Sequence, residues 1–110
     1  MQQMLMVLIN VPDVANANMM ARMLVEKRLA ACVNILPGVQ SVYRWQGAIE
    51  EASEVTLLVK TVQERYAELE EAIRAVHPYE VPEIVALPIM AGLPQYLGWI
   101  AEETKKDVDA

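Results

Sequence analysis

The feature that most constrains the fold is a pair of long apolar segments separated by one short turn. Residues 31–45 and 48–61 are rich in β-branched and aromatic side chains, and Gln46-Gly47 between them is suited to a tight turn. Each arm has about 14 residues and would span about 45 Å if straight, whereas a domain of this size has a radius of gyration near 13 Å. The hairpin must therefore bend or protrude, with Pro37-Gly38 predicted as a bulge and Glu50-Glu51 as an interruption of the second arm.

Helical and strand periodicities alternate along the rest of the chain. Residues 4–11 are almost all apolar and suit a strand buried on both faces. Residues 15–29 carry apolar side chains at helical spacing. A capping-box pair, Thr61 and Glu64, predicts a second helix that ends before His77-Pro78.

The carboxy-terminal third adds one strand and one helix. Residues 84–89 are predicted as a strand, and Pro88 favours an edge position because proline cannot donate a ladder hydrogen bond. Pro94 opens a final short helix. The order β-α-β-β-α-β predicts an α+β, ferredoxin-like antiparallel sheet with both main helices on one face and an extra carboxy-terminal helix. Its other face is expected to be covered by another subunit.

Length and composition indicate one domain over residues 1–110, with residues 104–110 frayed, since 110 residues that are 55% hydrophobic supply one ample core. No apolar run approaches the roughly 20 residues that cross a bilayer, and no basic region precedes the first apolar segment. We therefore expect a cytoplasmic protein without membrane partners. The net charge of −6 and the absence of phenylalanine disfavour nucleic-acid binding.

The segment 77–83, His-Pro-Tyr-Glu-Val-Pro-Glu, is the strongest candidate for a site. It holds the only histidine, and its two prolines stiffen the backbone around Tyr79 and Glu80. His77, Glu80 and Glu83, together with the single cysteine Cys32, are candidate ligands for Cu²⁺ or another divalent cation. The alternatives are a helix-terminus role for His77 and a buried apolar role for Cys32.

A second group of candidates lies on the hairpin. Tyr43, Trp45, Glu54 and Lys60 fall on its two arms and are predicted to line a cleft between subunits, although interface aromatics and a salt bridge would explain them equally. Tyr79 and Trp99 are assigned to the same cleft or interface, although packing would also explain Trp99. An enzymatic function is not predicted, because the chain has no glycine-rich phosphate loop, no nucleophile elbow and one histidine. No cofactor is required.

Five segments together resemble the CutA divalent-cation-tolerance family, and the resemblance covers nearly the whole chain. They are Arg28-Leu29-Ala30-Ala31-Cys32-Val33-Asn34, Ser41-Val42-Tyr43-Arg44-Trp45, Val59-Lys60-Thr61, His77-Pro78-Tyr79-Glu80-Val81-Pro82-Glu83-Ile84 and Tyr96-Leu97-Gly98-Trp99. The resemblance implies a ferredoxin-like subunit in a homotrimer similar to the PII signalling proteins, with a role in tolerance of copper and other divalent cations. It also implies a copper site with cysteine and histidine ligands, but the first strand has no cysteine and Pro78 follows His77.

Two functions remain open at this point. One is a trimer that binds a divalent cation, weakly and in a pH-dependent way, through His77 with Glu80, Glu83 or Cys32. The other is a PII-like signalling or scaffold trimer that binds a small anionic metabolite or a protein partner in the cleft, with Lys60 as counter-ion. Because a helix of about 14 residues spans about 21 Å, Lys60 and the 77–83 segment are expected to lie at opposite ends of one subunit. A pocket that contains both would then cross a subunit boundary.

Overall fold

A computed structural model describes residues 2–106. The elements follow the predicted order, with a single 3₁₀ turn before the second main helix. They are β1 (Met4–Val11), α1 (Val14–Glu26), β2 (Cys32–Trp45), β3 (Ala48–Val62), the 3₁₀ turn (Gln63–Arg65), α2 (Tyr66–Val76), β4 (Ile84–Pro88) and α3 (Pro94–Glu103). No helix within residues 2–106 is long and apolar enough to cross a membrane.

The four strands form one antiparallel sheet in the order β2-β3-β1-β4. This is the strand order of the split βαβ arrangement, so the predicted ferredoxin-like fold is confirmed. The predicted edge position of β4 is also confirmed: β1 pairs with it through Leu5↔Pro88 to Ile9↔Ile84. Proline at the end of an edge strand removes a backbone donor where no further strand needs one.

One core lies between the sheet and the first two helices. Alternate residues of β1 and β3 face it, and their side chains pack against the apolar stripes of α1 and α2. The fully buried members are Val7, Ile9, Val11, Ala17, Met20, Leu24, Leu57, Val59, Leu69 and Ile73. A smaller cluster of Ala31, Val62 and Ile100 seats α3 at one end of the sheet.

The prediction that β1 is buried on both faces is wrong for the protomer. Its burial alternates strictly, because only Leu5, Val7, Ile9 and Val11 point toward the helices. The opposite face of the sheet carries partly exposed apolar side chains, among them Val85 and Leu87. Burial of this open face by another subunit remains a prediction.

The β2–β3 hairpin protrudes from the domain. The longest dimension is 46 Å and the radius of gyration is 14.7 Å, and residues 42–51 are all exposed. The ladder shifts register between Leu36 and Val39, as predicted for Pro37-Gly38. The predicted interruption at Glu50-Glu51 is absent, because these residues pair in register with Tyr43 and Val42. Gln46 and Gly47 have φ of 49° and 82°, the left-handed pair that a two-residue hairpin turn requires.

Two predicted helix boundaries need correction. Helix α1 ends at Glu26 rather than at residue 29, and the chain turns at Arg28, whose φ is 58°. The capping box at Thr61 does not form: β3 continues to Val62, and the Thr61 hydroxyl donates to the Leu29 carbonyl at 2.7 Å. Because β3 continues through Val62, the 3₁₀ turn begins only at Gln63 and α2 at Tyr66.

The predicted fraying at residue 104 is also wrong. Thr104 is buried, and its hydroxyl donates to the Ile100 carbonyl at 2.8 Å. This hydrogen bond ties the residue after α3 to its last turn. Residues 107–110 lie outside the described part of the chain.

Candidate functional site

His77 ends α2 and ties the 77–83 segment to β1. Its backbone is extended (φ −72°, ψ 134°), as expected before Pro78. The ring Nε2 lies 2.8 Å from the Asn10 carbonyl, and the Tyr79 backbone N–H donates to Nδ1 at 3.1 Å. Since a carbonyl only accepts and a backbone N–H only donates, these partners assign a neutral ring with its proton on Nε2. Both ring nitrogens are therefore engaged within the chain.

Tyr79 connects the 77–83 segment to the hairpin. Its ring lies 4.9 Å from the His77 ring, and its hydroxyl donates to Glu54 Oε2 at 2.9 Å. Burial, followed by the hydrogen bond to the Glu54 carboxylate, raises the pKa of Tyr79 to about 12. The phenol therefore keeps its proton at neutral pH and remains a hydrogen-bond donor to Glu54.

Asn10 holds the other end of the segment. Its Nδ2 donates to Glu83 Oε1 at 3.1 Å, and its Oδ1 accepts from the Thr56 hydroxyl at 2.6 Å. The backbone carbonyl of the same asparagine accepts from His77. One polar residue at the end of β1 therefore orients both ends of the 77–83 segment.

The hairpin and the 77–83 segment enclose a groove of about 670 Å³, which we call the hairpin groove. Its walls combine aromatic and aliphatic side chains with carboxylates: Glu54 is only 8% exposed, whereas Glu80 and Glu83 are exposed. The lining residues are Asn10, Ser41, Val42, Tyr43, Trp45, Glu54, Pro78, Tyr79, Glu80, Val81 and Glu83. No Lys or Arg is among them, so within the described residues the groove is acidic.

The groove brings together most of the residues predicted from the sequence. Tyr43, Trp45 and Glu54 from the hairpin face Tyr79, Glu80 and Glu83 from the 77–83 segment, and His77 supports that segment from behind. Cys32, Lys60 and Trp99 do not line the groove. The predicted residues thus fall into two separate groups.

The second group lies toward the opposite end of the sheet. Cys32 pairs with Lys60, the Lys60 ammonium donates to Asn34 Oδ1, and the Cys32 sulfur lies 4.0 Å from that same oxygen. Cys32 is half-buried beside these polar groups, so the prediction of a buried apolar thiol is wrong.

Tyr96 on α3 completes this second group. Burial, and then proximity to Cys32, raises the pKa of Tyr96. The Trp99 ring packs 5.6 Å from the Tyr96 ring, centroid to centroid, and remains 42% exposed. The predicted place of Trp99 in a cleft or interface remains a prediction.

Lys60 and His77 are well separated within one chain. Lys60 pairs with Met6 of β1, whereas the His77 ring contacts Asn10, four residues further along the same strand. Four strand residues span about 13 Å. The separation agrees with the sequence-based expectation that the two residues lie apart in one subunit. That a pocket containing both crosses a subunit boundary remains a prediction.

The four predicted metal ligands do not converge. Cys32 lies in the second group, and among residues 2–106 no three His, Cys, Asp or Glu side chains are close enough to hold one metal ion. A complete soft-ligand site is therefore not formed by the described part of a single chain. Direct metal binding by His77, Glu80, Glu83 or Cys32 remains a prediction.

Three polar residues of these two groups were not predicted from the sequence: Asn10, Asn34 and Thr56. Asn10 and Asn34 each interrupt an apolar strand with a side-chain amide. Asn10 is half-buried, and an amide with little access to water needs partners, whereas Asn34 is exposed. The polar side chain of Asn10 could be recognised in the sequence, but its partners could not be predicted. They are residues 46, 67 and 73 positions away.

The fold and the groove together define a class: a ferredoxin-like α+β subunit with a protruding hairpin that faces a stiff acidic segment. The family model of the CutA1 divalent ion tolerance protein matches residues 5–103. This chain belongs to that family.

Individual relatives agree with this assignment. The divalent-cation tolerance protein CutA of Thermus thermophilus is 55% identical over 98 residues, which is 89% of this chain and 95% of that protein. The solved structure of the Thermus protein has a TM-score of 0.90 at 52% identity and covers 96% of this chain and 100% of its own. An Archaeoglobus fulgidus structure, described as a periplasmic CutA, has a TM-score of 0.90 at 41% identity, covering 93% and 99% of the two chains. The chain spans 53–60% of the length of several longer relatives that it matches.

Proposed function

We propose that this chain acts in divalent-cation tolerance as a homotrimer that binds a divalent cation directly and weakly at the rim of the hairpin groove. The observation that carries the proposal is the charge of the groove: Glu54, Glu80 and Glu83 line it, and no lining residue within residues 2–106 is Lys or Arg. Exposed carboxylates are oxygen ligands for divalent cations. Glu80 and Glu83 are both exposed and so can reach an ion.

Weak binding follows from the incomplete ligand set. His77 must give up its hydrogen bond from Tyr79 or to Asn10 before either nitrogen can coordinate, and Cys32 is outside the groove. Cu²⁺, which takes both nitrogen and oxygen ligands, and Zn²⁺ are the ions to test first. A neighbouring subunit would have to supply the remaining ligands.

Two features of the protomer support the trimer. The open face of the sheet carries apolar side chains, and the hairpin extends exposed Val42 and Ile49 away from the core. Apolar area of this kind is usually covered by a partner. We also propose that the protein is not an enzyme and that it acts in the cytoplasm, as its sequence predicts.

The alternative, a PII-like trimer that binds an anionic metabolite, is less well supported. Its proposed counter-ion, Lys60, donates to Asn34 outside the groove. An anion in the groove of one chain would face three carboxylates without a compensating cation from the described residues. Lys60 from a second subunit would be needed to compensate the negative charge of these carboxylates.

Titration calorimetry tests the metal proposal. We expect a weak Cu²⁺ or Zn²⁺ isotherm for the native chain and its loss in the double variant Glu80→Gln, Glu83→Gln. Glu26→Gln is the matched control, because Glu26 is exposed at the end of α1 and does not line the groove. An unchanged isotherm in the double variant would contradict the placement of the ion.

Light scattering tests the assembly separately. We expect three times the mass of the 12.3 kDa chain at micromolar concentration. A monomer mass would refute the homotrimer whatever the metal titration shows.

A further inference from the structure

Arg28, just past the end of α1, has a backbone conformation that disfavours a side chain. Its φ is 58°. The Arg28 N–H donates to the Val25 carbonyl at 3.1 Å, and the next N–H, that of Leu29, donates to the Leu24 carbonyl at 2.9 Å. These two hydrogen bonds form a Schellman motif, in which the left-handed residue is usually glycine because a Cβ is unfavourable there. An arginine at this position therefore needs a compensating contact.

The side chain of Arg28 makes that contact with the end of a different helix. Its Nη1 donates to the carbonyl oxygens of Glu102 and Glu103 at 3.5 and 3.4 Å, and these are the last two residues of α3. The last carbonyls of a helix have no donor within the helix and carry the negative end of its dipole, so a guanidinium stabilises them. Arg28 thus ends α1 with its backbone and caps α3 with its side chain.

Arg65 fixes the backbone from which the Arg28 side chain extends. It is 7% exposed, and it donates to the Arg28 carbonyl through Nε at 3.3 Å and to the Lys27 carbonyl through Nη2 at 3.4 Å. Its Nη1 pairs with Glu68 Oε1, which also accepts from the Lys106 ammonium at 3.2 Å. Glu68 and Lys106 are exposed, so their ion pair contributes little. None of these residues belongs to the hairpin or to the open face of the sheet.

Apolar packing holds α3 less firmly than it holds α1 and α2. Within residues 94–103 only Ile100 is fully buried, and it packs with Ala31 and Val62 in a cluster separate from the main core. Tyr96 and Trp99 are 39% and 42% exposed. Segments that bury little apolar area open locally at a lower free energy than the core. The polar contact from Arg28 therefore carries a large share of the attachment of α3.

The segment that precedes α3 has the properties of a hinge. Residues 90–93 are exposed and form neither helix nor strand. Just before them, the Ile89 N–H donates to the Met4 carbonyl at 2.9 Å, so the sheet anchors one end of the segment. A Cβ on Gly92 would lie 3.0 Å from the Leu97 side chain, so glycine allows the first turn of α3 to fold back closely on the segment. Helix α3 is thus attached at a hinge before it and by Arg28 at its end.

We propose that α3 is a strap that opens as a unit about residues 90–93 while the sheet, α1 and α2 stay folded, and that Arg28 is the latch that holds it closed. Closure seats Ile100 against the end of the sheet and places Tyr96 beside Cys32. Opening takes that cover away from the second group of residues. This conformational device acts without any ligand and goes beyond the function proposed above.

Hydrogen–deuterium exchange of the native full chain, followed by mass spectrometry, tests the strap. We expect the amides of α3 to exchange together and faster than those of β1 and β3. Arg28→Gly separates the two roles of the residue, because glycine relieves the left-handed backbone while the latch is lost. Exchange of α3 should then be about two- to tenfold faster, the range that corresponds to one net hydrogen bond. The urea midpoint of global unfolding should stay the same or rise.

Two further variants make the result decisive. Arg28→Gln lacks the guanidinium but keeps the strained backbone, so it should accelerate α3 exchange as Arg28→Gly does and should not raise the urea midpoint. Arg22→Ala is the matched control, because Arg22 is an exposed arginine of α1 outside the latch, and α3 exchange should be unchanged in it. The proposal is overturned if native α3 exchanges as slowly as the core, if both Arg28 variants leave α3 exchange unchanged, or if they accelerate all elements equally.

Discussion

Replacing Tyr79 with phenylalanine should destabilise the protein by about 1.5–3 kcal/mol, the usual contribution of a hydrogen bond to a charged group. The substitution removes one hydroxyl and keeps the ring that packs 4.9 Å from His77. It leaves the carboxylate of Glu54 without its Tyr79 donor at a position that is 8% exposed. Water cannot readily replace a donor at such a buried oxygen, so most of the hydrogen-bond energy should be lost.

Tyr66 supplies a matched control within the same chain. Its hydroxyl donates to Glu70 Oε1 at 2.9 Å, the same length as the bond from Tyr79 to Glu54. Glu70 is on an accessible helix face and only half-buried, so water can take over when the hydroxyl is removed. Tyr66→Phe should therefore cost less than about 1 kcal/mol.

The assay is urea unfolding at one fixed protomer concentration, because assembly would otherwise shift the apparent stability. A double-mutant cycle with Glu54→Gln isolates the pair, and we expect a coupling energy of about 1 kcal/mol or more. Two results together would contradict this reasoning: an equal loss of unfolding free energy in Tyr79→Phe and Tyr66→Phe, and no coupling energy with Glu54. They would show that burial of the acceptor does not determine how much stability the lost hydrogen bond costs.

Three further predictions address the hairpin and the titration of Tyr79. Gly47→Ala should cost about 1–2 kcal/mol in the same unfolding assay, because its φ of 82° disfavours a side chain although nothing lies within 4 Å of the added methyl group; an unchanged midpoint would contradict this. Trp45→Ala should weaken assembly by about 2 kcal/mol or more if the hairpin tip is an interface anchor, and an unaltered concentration dependence of the mass would exclude that role. Since the pKa of Tyr79 is raised to about 12, its protonated form contributes stability in full below pH 10, the ordinary tyrosine value, and this contribution is lost as the pH rises toward 12. Difference absorbance against Tyr79→Phe should show that phenol ionising near pH 12, and ionisation near 10 would refute the effect of burial and Glu54.

Patterns that are local in the sequence were sufficient to predict the order of helices and strands and the fold. Alternation of Val55, Leu57 and Val59 assigned the core face of β3, and Gln46-Gly47 located the turn that joins the two longest strands. Pro88 marked the edge strand, and Pro94 the start of α3. Each signal works because side-chain direction repeats every two residues in a strand, and because glycine and proline restrict the backbone where they stand.

Hydrogen-bond partners distant in sequence required the tertiary structure. The sequence predicts Thr61 as a helix cap, but β3 extends one residue further and pairs Val62 with Met4. The Thr61 hydroxyl therefore donates to the Leu29 carbonyl. The sequence predicts His77 as a metal ligand or a helix-terminus residue. It does stand at the end of α2, but the partner of its ring, a carbonyl 67 positions away, was not predictable.

The division of the candidate residues was likewise decided by the folded chain. Cys32 was grouped by chemistry with the 77–83 segment, yet strand register places it opposite Lys60, toward the other end of the sheet. The length of the second helix had already predicted that position for Lys60. A periodicity specifies which face a side chain takes, whereas the length of each strand and the register of each pair specify its neighbours. Those two quantities arise only when the whole sheet and its helices pack together.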